Sequence, residues 1–203
     1  MYEIRPLTED DWHPLLRLTQ ARGTWLRERD LRAPCSAEYL LGWLGKDNTG
    51  RFPMALTDSG EIVAAMALSL QPANRAWGEV TSVLYVEAAW SDPARRHDRS
   101  SKLLTLWLAH CAATIGRRWV GCAVPPGALA DHLMNIRVGG QYTWNRLRAT
   151  LDPHGNRLFL LRAAARRRPG LDHLISGAFQ PEAKEHEMAD PPAECAAAPA
   201  TPA

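Results

Sequence analysis

The chain has 203 residues, 46% hydrophobic and 23% charged, with a formal net charge of +2, which is enough apolar material for one domain with a full core and a tail. No apolar run approaches the roughly 20 residues that span a bilayer, and the start, MYEIRPLTEDD, has no signal-like apolar stretch, so a cytoplasmic protein without membrane contact is expected. So small a charge, with no recognised basic motif, argues against nucleic acid as a partner.

Residues 2–7 (YEIRPL) predict a short first strand, and Thr8 with Asp11 three residues on offers a helix cap. Trp12, Leu15, Leu16 and Thr19 mark the inner face of a helix that tolerates Pro14 near its start, and residues 23–31 read as a second helical piece. Ser36 caps a short helix through Leu44, ended by the polar run 45–50. Residues 52–57 and 62–70 are strand-like and flank Asp58-Ser59-Gly60-Glu61, an antiparallel hairpin signal. Residues 80–89 are apolar and β-branched without clean alternation, which fits a central strand buried on both faces. Leu104, Trp107, Leu108, Cys111 and Ile115 then form the stripe of a helix that Gly116 closes.

A short apolar strand at 119–124 follows, stopped by Pro125-Pro126, and strand, helix and strand together predict a parallel pair joined by a crossover. Residues 127–138 have near-helical spacing and end at Gly139-Gly140. Residues 142–151 and 157–162 flank Asp152-Pro153-His154-Gly155-Asn156 and read as a closing hairpin. Residues 171–179 predict one docked turn. From 181 on, prolines sit among alanines and acids without any aromatic residue, the composition of a disordered tail. The expected organisation is a domain over 1–165, a basic and apolar extension over 166–180, and the tail over 181–203.

The chemistry gathers after the central strand. Ser91-Asp92-Pro93 makes a turn, and residues 95–101 (RRHDRSS) bring three arginines and two hydroxyls to a helix start. Unpaired N–H groups and about half a positive charge make such a start a seat for phosphate oxygens. Residues 181–203 hold five acids and one lysine, a net −4 against the total of +2, so residues 1–180 carry +6. That mildly basic body suits an anionic cofactor. Cys35, Cys111, Cys122 and Cys195 show no CxxC pair, and the seven histidines no HxxxH spacing, so reduced structural cysteines and no metal site are expected.

Residues 84–107 (LYVEAAWSDPARRHDRSSKLLTLW) resemble the strand, pyrophosphate loop and helix of the GNAT superfamily of acyl-CoA-dependent N-acetyltransferases. The family loop runs (Gln/Arg)-x-x-Gly-x-(Gly/Ala). Matching Arg95 to its first position puts Asp98 and Ser100 at the glycines, and matching Arg96 puts Arg99 and Ser101 there, so both glycines are missing in either register. The resemblance implies an α/β fold with a mixed sheet, a GNAT-like fold in the order β-α-α-β-β-β-α-β-α-β-β, and acetyl-CoA as co-substrate.

On that resemblance Arg95, Arg96, His97, Asp98, Arg99, Ser100 and Ser101 bind the cofactor, and backbone N–H groups of Ala88, Ala89 and Trp90 hold the thioester carbonyl. Glu87, near the point where the family cleft opens, is the candidate base, with Glu79 second; the alternative for Glu87 is a pair with an arginine of the following loop. Many relatives carry a tyrosine acid in the helix before the closing hairpin. Here His132 is the one residue of 127–138 that can act as an acid near neutral pH, and the alternative for it is a solvated surface histidine. Trp25 and Tyr39, with Trp43, give an acceptor pocket aromatic walls, and Glu28, Asp30 and Glu38 offer attraction for a cationic amine; each also fits a place in core or surface.

The expected function is acyl transfer from acetyl-CoA to an amine of a small molecule or peptide. The alternative is a GNAT-like domain without the chemistry that binds acyl-CoA or a protein partner. A homodimer is left open.

Overall fold

The computed structural model describes residues 1–30, 42, 51–71, 77, 82–95, 100–138, 141–152, 155–179 and 181. These form strands β1 (Tyr2–Pro6), β2 (Arg51–Asp58), β3 (Glu61–Ser69), β4 (Val83–Ser91), β5 (Trp119–Val124), β6 (Arg137–Val138), β7 (Gln141–Tyr142), β8 (Trp144–Leu151), β9 (Arg157–Ala164) and β10 (Ile175–Ser176). The helices among them are α1 (Trp12–Arg27), α2 (Ser100–Thr114) and α3 (Ala128–Asn135). The expected short helix at 36–44, apart from residue 42, and the tail beyond 181 lie outside the described residues.

One mixed sheet of eight strands runs in the order β10-β1-β2-β3-β4-β5-β9-β8. The hairpin of β2 and β3 turns where Ser59 and Gly60 take positive φ. β4 and β5 are adjacent and parallel, with α2 between them in the chain, as the strand, helix, strand pattern requires. The closing hairpin is also present, and its second strand, β9, lies against β5, which leaves β8 at the sheet edge.

Each face of the sheet has its own apolar cluster. On one side Met54, Met66, Leu68, Leu84, Val120 and Leu161 pack with Trp107, Leu108 and Cys111 of α2 and Ala130 of α3. On the other, Ala55, Ala65, Ala67, Ala88 and Trp90 pack with Leu15 and Leu18 of α1. The small residues on the second face let α1 lie close to the strands.

Two expectations about helices need correction. Residues 12–27 form a single α1, since an isolated Gly23 costs only about 1 kcal/mol in a helix and Leu26 beyond it is buried. Its start is fixed by the anticipated pair: the Thr8 backbone N–H and hydroxyl both donate to Asp11 Oδ2, and Arg5 grips both Asp11 carboxylate oxygens at 2.7 Å. The helix expected over 127–138 stops at Asn135, because Ile136 turns extended to bury its side chain, and β6 then pairs with β7.

The segment after β9 is part of the same core. β10 lies parallel to β1, with Ile175 opposite Tyr2, and Leu171, Ile175 and Phe179 are buried. The Trp107 indole N–H donates to Gly177 O at 3.1 Å, and Phe52 meets Phe179 edge to face. In place of one docked turn there is a 3-10 turn at Leu171–His173 followed by a strand.

Candidate functional site

β4 and β5 are paired from Val83 opposite Trp119 to Val86 opposite Cys122, and there their pairing stops. Further on, β4 stays with β3 as far as Ser91, and β5 stays with β9 as far as Val124. The sheet is therefore split between residues 87–91 and residues 123–124. Alternate backbone groups of a strand face opposite neighbours, so half of those at 87–91 point toward the gap. Ala89 on one face and Ala123 on the other are both exposed.

A β-bulge sits where the split begins. Ala67 is opposite Ala88 and Leu68 opposite Val86, which leaves Glu87 as the extra residue on β4. The bulge switches the facing of the strand: Leu84 packs on the α2 side, whereas Ala88 and Trp90 pack on the α1 side. The missing alternation has two physical reasons: Val83, Leu84 and Tyr85 are buried in succession on both faces, as expected of a central strand, and the bulge then switches the facing at Glu87.

Glu87 lies on the α1 side with its side chain largely buried. Its partner is Arg51 of β2, whose Nε donates to Oε2 at 2.6 Å, and not an arginine of the loop after β4. Beside it on this face, Tyr85 is 3% exposed and its hydroxyl has no hydrogen-bond partner among the described residues. Burial pushes that phenol up to about 12, partly opposed by the charge of Arg117. Trp77 meets Tyr85 edge to face and lies over Gly121, where a Cβ would come within 2.9 Å of the indole.

The start of α2 lies on the opposite side of the sheet, with the α2 cluster. Thr105 donates to the Ser101 carbonyl, and the Trp144 indole N–H donates to the Thr105 hydroxyl, so β8 is tied to the first turn of α2. His132 of α3 has Nε2 3.3 Å from Ser101 Oγ. The turn before the helix is held by the Ala94 N–H on Asp92 Oδ1 and by Arg95, which pairs with Asp58 at 2.5 Å and with Glu61 at 3.5 Å. Hydrogen bonding to Asp58 raises the Arg95 guanidinium above its usual value.

The predicted residues thus fall into groups. Glu87, Ala88, Ala89 and Trp90 line the strand at the split, with the Ala88 and Trp90 side chains buried under α1. Ser100 and Ser101 open α2, and Arg95 is engaged by the β2–β3 hairpin. Trp25, on α1, has the guanidiniums of Arg22 and Arg29 against its ring at 4.5 and 4.3 Å, so the acceptor wall expected there is already in contact with cations. Glu79, Arg96, His97, Asp98, Arg99 and Tyr39 lie outside the described residues. Arg51, Tyr85 and Trp77 were not anticipated.

Neither family models nor curated proteins match this chain. Solved structures do. The GNAT domain of PAT from S. lividans aligns with a TM-score of 0.55 at 20% identity, covering 79% of this chain and 89% of that one. This chain has the GNAT fold. The ribosomal-protein-S18-alanine N-acetyltransferase of Escherichia coli aligns at TM-score 0.56 and 13% identity, covering 84% and 97%. AAC(6')-Ib in complex with ribostamycin and coenzyme A aligns at 0.60 and 11%, covering 80% and 93%. No helix among the described residues is long and apolar enough to cross a membrane, and no group of three metal-ligating side chains occurs among them.

Proposed function

We propose that this protein is a GNAT acyltransferase that moves an acetyl or other short acyl group from acetyl-CoA to an amine, with the cytoplasm as its compartment. The observation that carries the reading is the split between β4 and β5, with the start of α2 on one face and Glu87 on the other. A solved neighbour of the same fold holds coenzyme A.

The residues can divide the work as follows. The N–H groups of the first turn of α2, with Ser100, Ser101 and the loop carrying Arg96 and Arg99, take the pyrophosphate. Backbone N–H groups among Ala88, Ala89 and Trp90 hold the thioester carbonyl oxygen as charge builds on it. Glu87 takes a proton from the incoming ammonium, directly or through a water. The amine nitrogen then forms the C–N bond, the C–S bond breaks as the nitrogen gives up its second proton to solvent, and the thiolate leaves to be protonated by solvent.

Thiol release from acetyl-CoA across a panel of amines, run beside calorimetry with acetyl-CoA, tests this. Glu87→Gln is expected to lower turnover about 10²–10⁴-fold with acetyl-CoA affinity nearly unchanged. A second reading, a domain that binds an acyl-CoA without chemistry, is favoured by the Arg51 guanidinium already lodged on Glu87 and by the missing loop glycines. Tight acetyl-CoA binding with no acceptor turned over selects it.

A further inference from the structure

Building on the acyltransferase reading, we infer that the acceptor is an amine with a negatively charged group roughly 5–10 Å from the reacting nitrogen, an acidic amino-acid or peptide type of substrate and not a polycation. The reach comes from strand spacing and arginine length.

The start of α2 occupies one face of the sheet, so an acceptor meeting the thioester through the split approaches from the other, the α1 face. The register says which side chains that face presents. Val120, Cys122 and Val124 of β5 belong to the α2-side cluster, which puts Gly121 and Ala123 on the α1 face. Gly121 is opposite Arg162 of β9, and Ala123 is opposite Leu160, which is in turn opposite Arg148 of β8. Arg148 and Arg162 therefore share the α1 face with Glu87 and Arg51.

The charge on this surface is one-sided. Among the described residues on the α1 faces of β4, β5, β8 and β9, Glu87 is the one carboxylate, and Arg51 already neutralises it at 2.6 Å. Arg148 is exposed and makes no ion pair among the described residues, and Arg162 rests on the Trp119 ring at 4.2 Å. An amine bearing further ammonium groups would set them against guanidiniums. One bearing a carboxylate would set it toward Arg162 and Arg148, two and three strand spacings from β4, about 10 and 14 Å.

A second, independent observation marks the same face as a place for a polar ligand. Tyr85 sits between Ser69 and Gly121 in the row that runs on through Arg162 to Asn145, and its buried hydroxyl lacks a partner among the described residues. A buried hydroxyl left without one costs about 1–3 kcal/mol, which a ligand or water in the site would recover. The expectation runs against Glu28 as an attractor of a cation, since Arg29 is already paired with Glu28 and packed on Trp25.

The test measures binding of glycyl-glutamate and glycyl-glutamine, both as C-terminal amides, and of spermidine to the full chain saturated with coenzyme A, and to its Arg148→Gln/Arg162→Gln double variant. The two dipeptides differ only in the side-chain charge. Glycyl-glutamate is expected to bind about three- to tenfold tighter than glycyl-glutamine, with spermidine weakest, and the double variant is expected to erase the preference. Both arginines are at or near the surface, and an unchanged thermal melt checks that the variant is folded. Spermidine binding as well as glycyl-glutamate, no difference among the three, or a preference that survives the double variant overturns the inference while the acyltransferase reading stands. Failure of coenzyme A to bind removes that reading, and this inference with it.

Discussion

Gly177→Ala is the sharpest probe of how the C-terminal segment completes the core. Gly177 has φ of +110°, and a Cβ there would lie 1.8 Å from the Ile4 carbonyl oxygen and 2.8 Å from its carbon. Backbone of β1 cannot yield by that much, so the segment around β10 must leave its seat. Leaving exposes Ile175 and Phe179, worth about 1.5–3 kcal/mol each, and breaks the hydrogen bond from the Trp107 indole to Gly177 O, worth about 1 kcal/mol. Full detachment therefore costs about 4–7 kcal/mol, a large part of the stability of a typical domain. Gly170→Ala is the control, because Gly170 also has positive φ, +78°, but its added Cβ meets nothing nearer than His173 at 3.9 Å. Backbone strain alone predicts a loss of about 1–2 kcal/mol there. Urea unfolding with linear extrapolation reads both. If the two variants lose stability to within 1 kcal/mol of each other, the seating of β10 against β1 is wrong.

Two further outcomes follow from buried ionisable groups. Hydrogen bonds from Arg5 hold the Asp11 carboxyl below its ordinary value, so its contribution is fully present above about pH 4 and is lost as pH falls through the lowered value; Asp11→Asn should remove about 1–2 kcal/mol at pH 7 and flatten the acid limb of a stability curve measured by urea unfolding. Burial pushes the thiols of Cys111 and Cys122 up to about 12, so iodoacetamide at pH 8 should leave both unlabelled in the folded protein and label them in urea, as peptide mass mapping would show; rapid labelling in native buffer contradicts their placement.

What the sequence disclosed was local. The β2–β3 turn at Ser59-Gly60, the Thr8–Asp11 cap and the crossover from β4 through α2 to β5 rest on residues within a turn or one apolar stripe of each other, and all three are present. Pairings made across the sheet left no local trace. Arg51 and Glu87 are 36 residues apart in the chain, and neither has a neighbour that announces the pair. The position of β9 between β5 and β8 depends on which strand of a hairpin docks, a choice that alternation alone does not encode. The cations against Trp25 were within reach of inspection, since Arg22 and Arg29 stand three residues before it and four after it.

The missing loop glycines become easier to place once the turn's anchors are known. Glycine serves where backbone must come close to a phosphate without a Cβ in the way. Here the turn leading to α2 is fixed from outside: the Asp92 N–H donates to Val63 O at 2.8 Å, and Arg95 reaches Asp58 and Glu61 at the two ends of the β2–β3 turn. Arg95 is thereby a structural cation, already balanced by two carboxylates. Of the two registers, the one beginning at Arg96 leaves Arg95 to that anchoring role and puts Arg99 and Ser101 at the glycine positions. Ser101 is also the residue that His132 approaches and whose carbonyl Thr105 holds. In the proposed acyltransferase, phosphate recognition at the start of α2 would rest on side-chain donors and the helix N–H groups, in place of the close backbone approach that glycines permit.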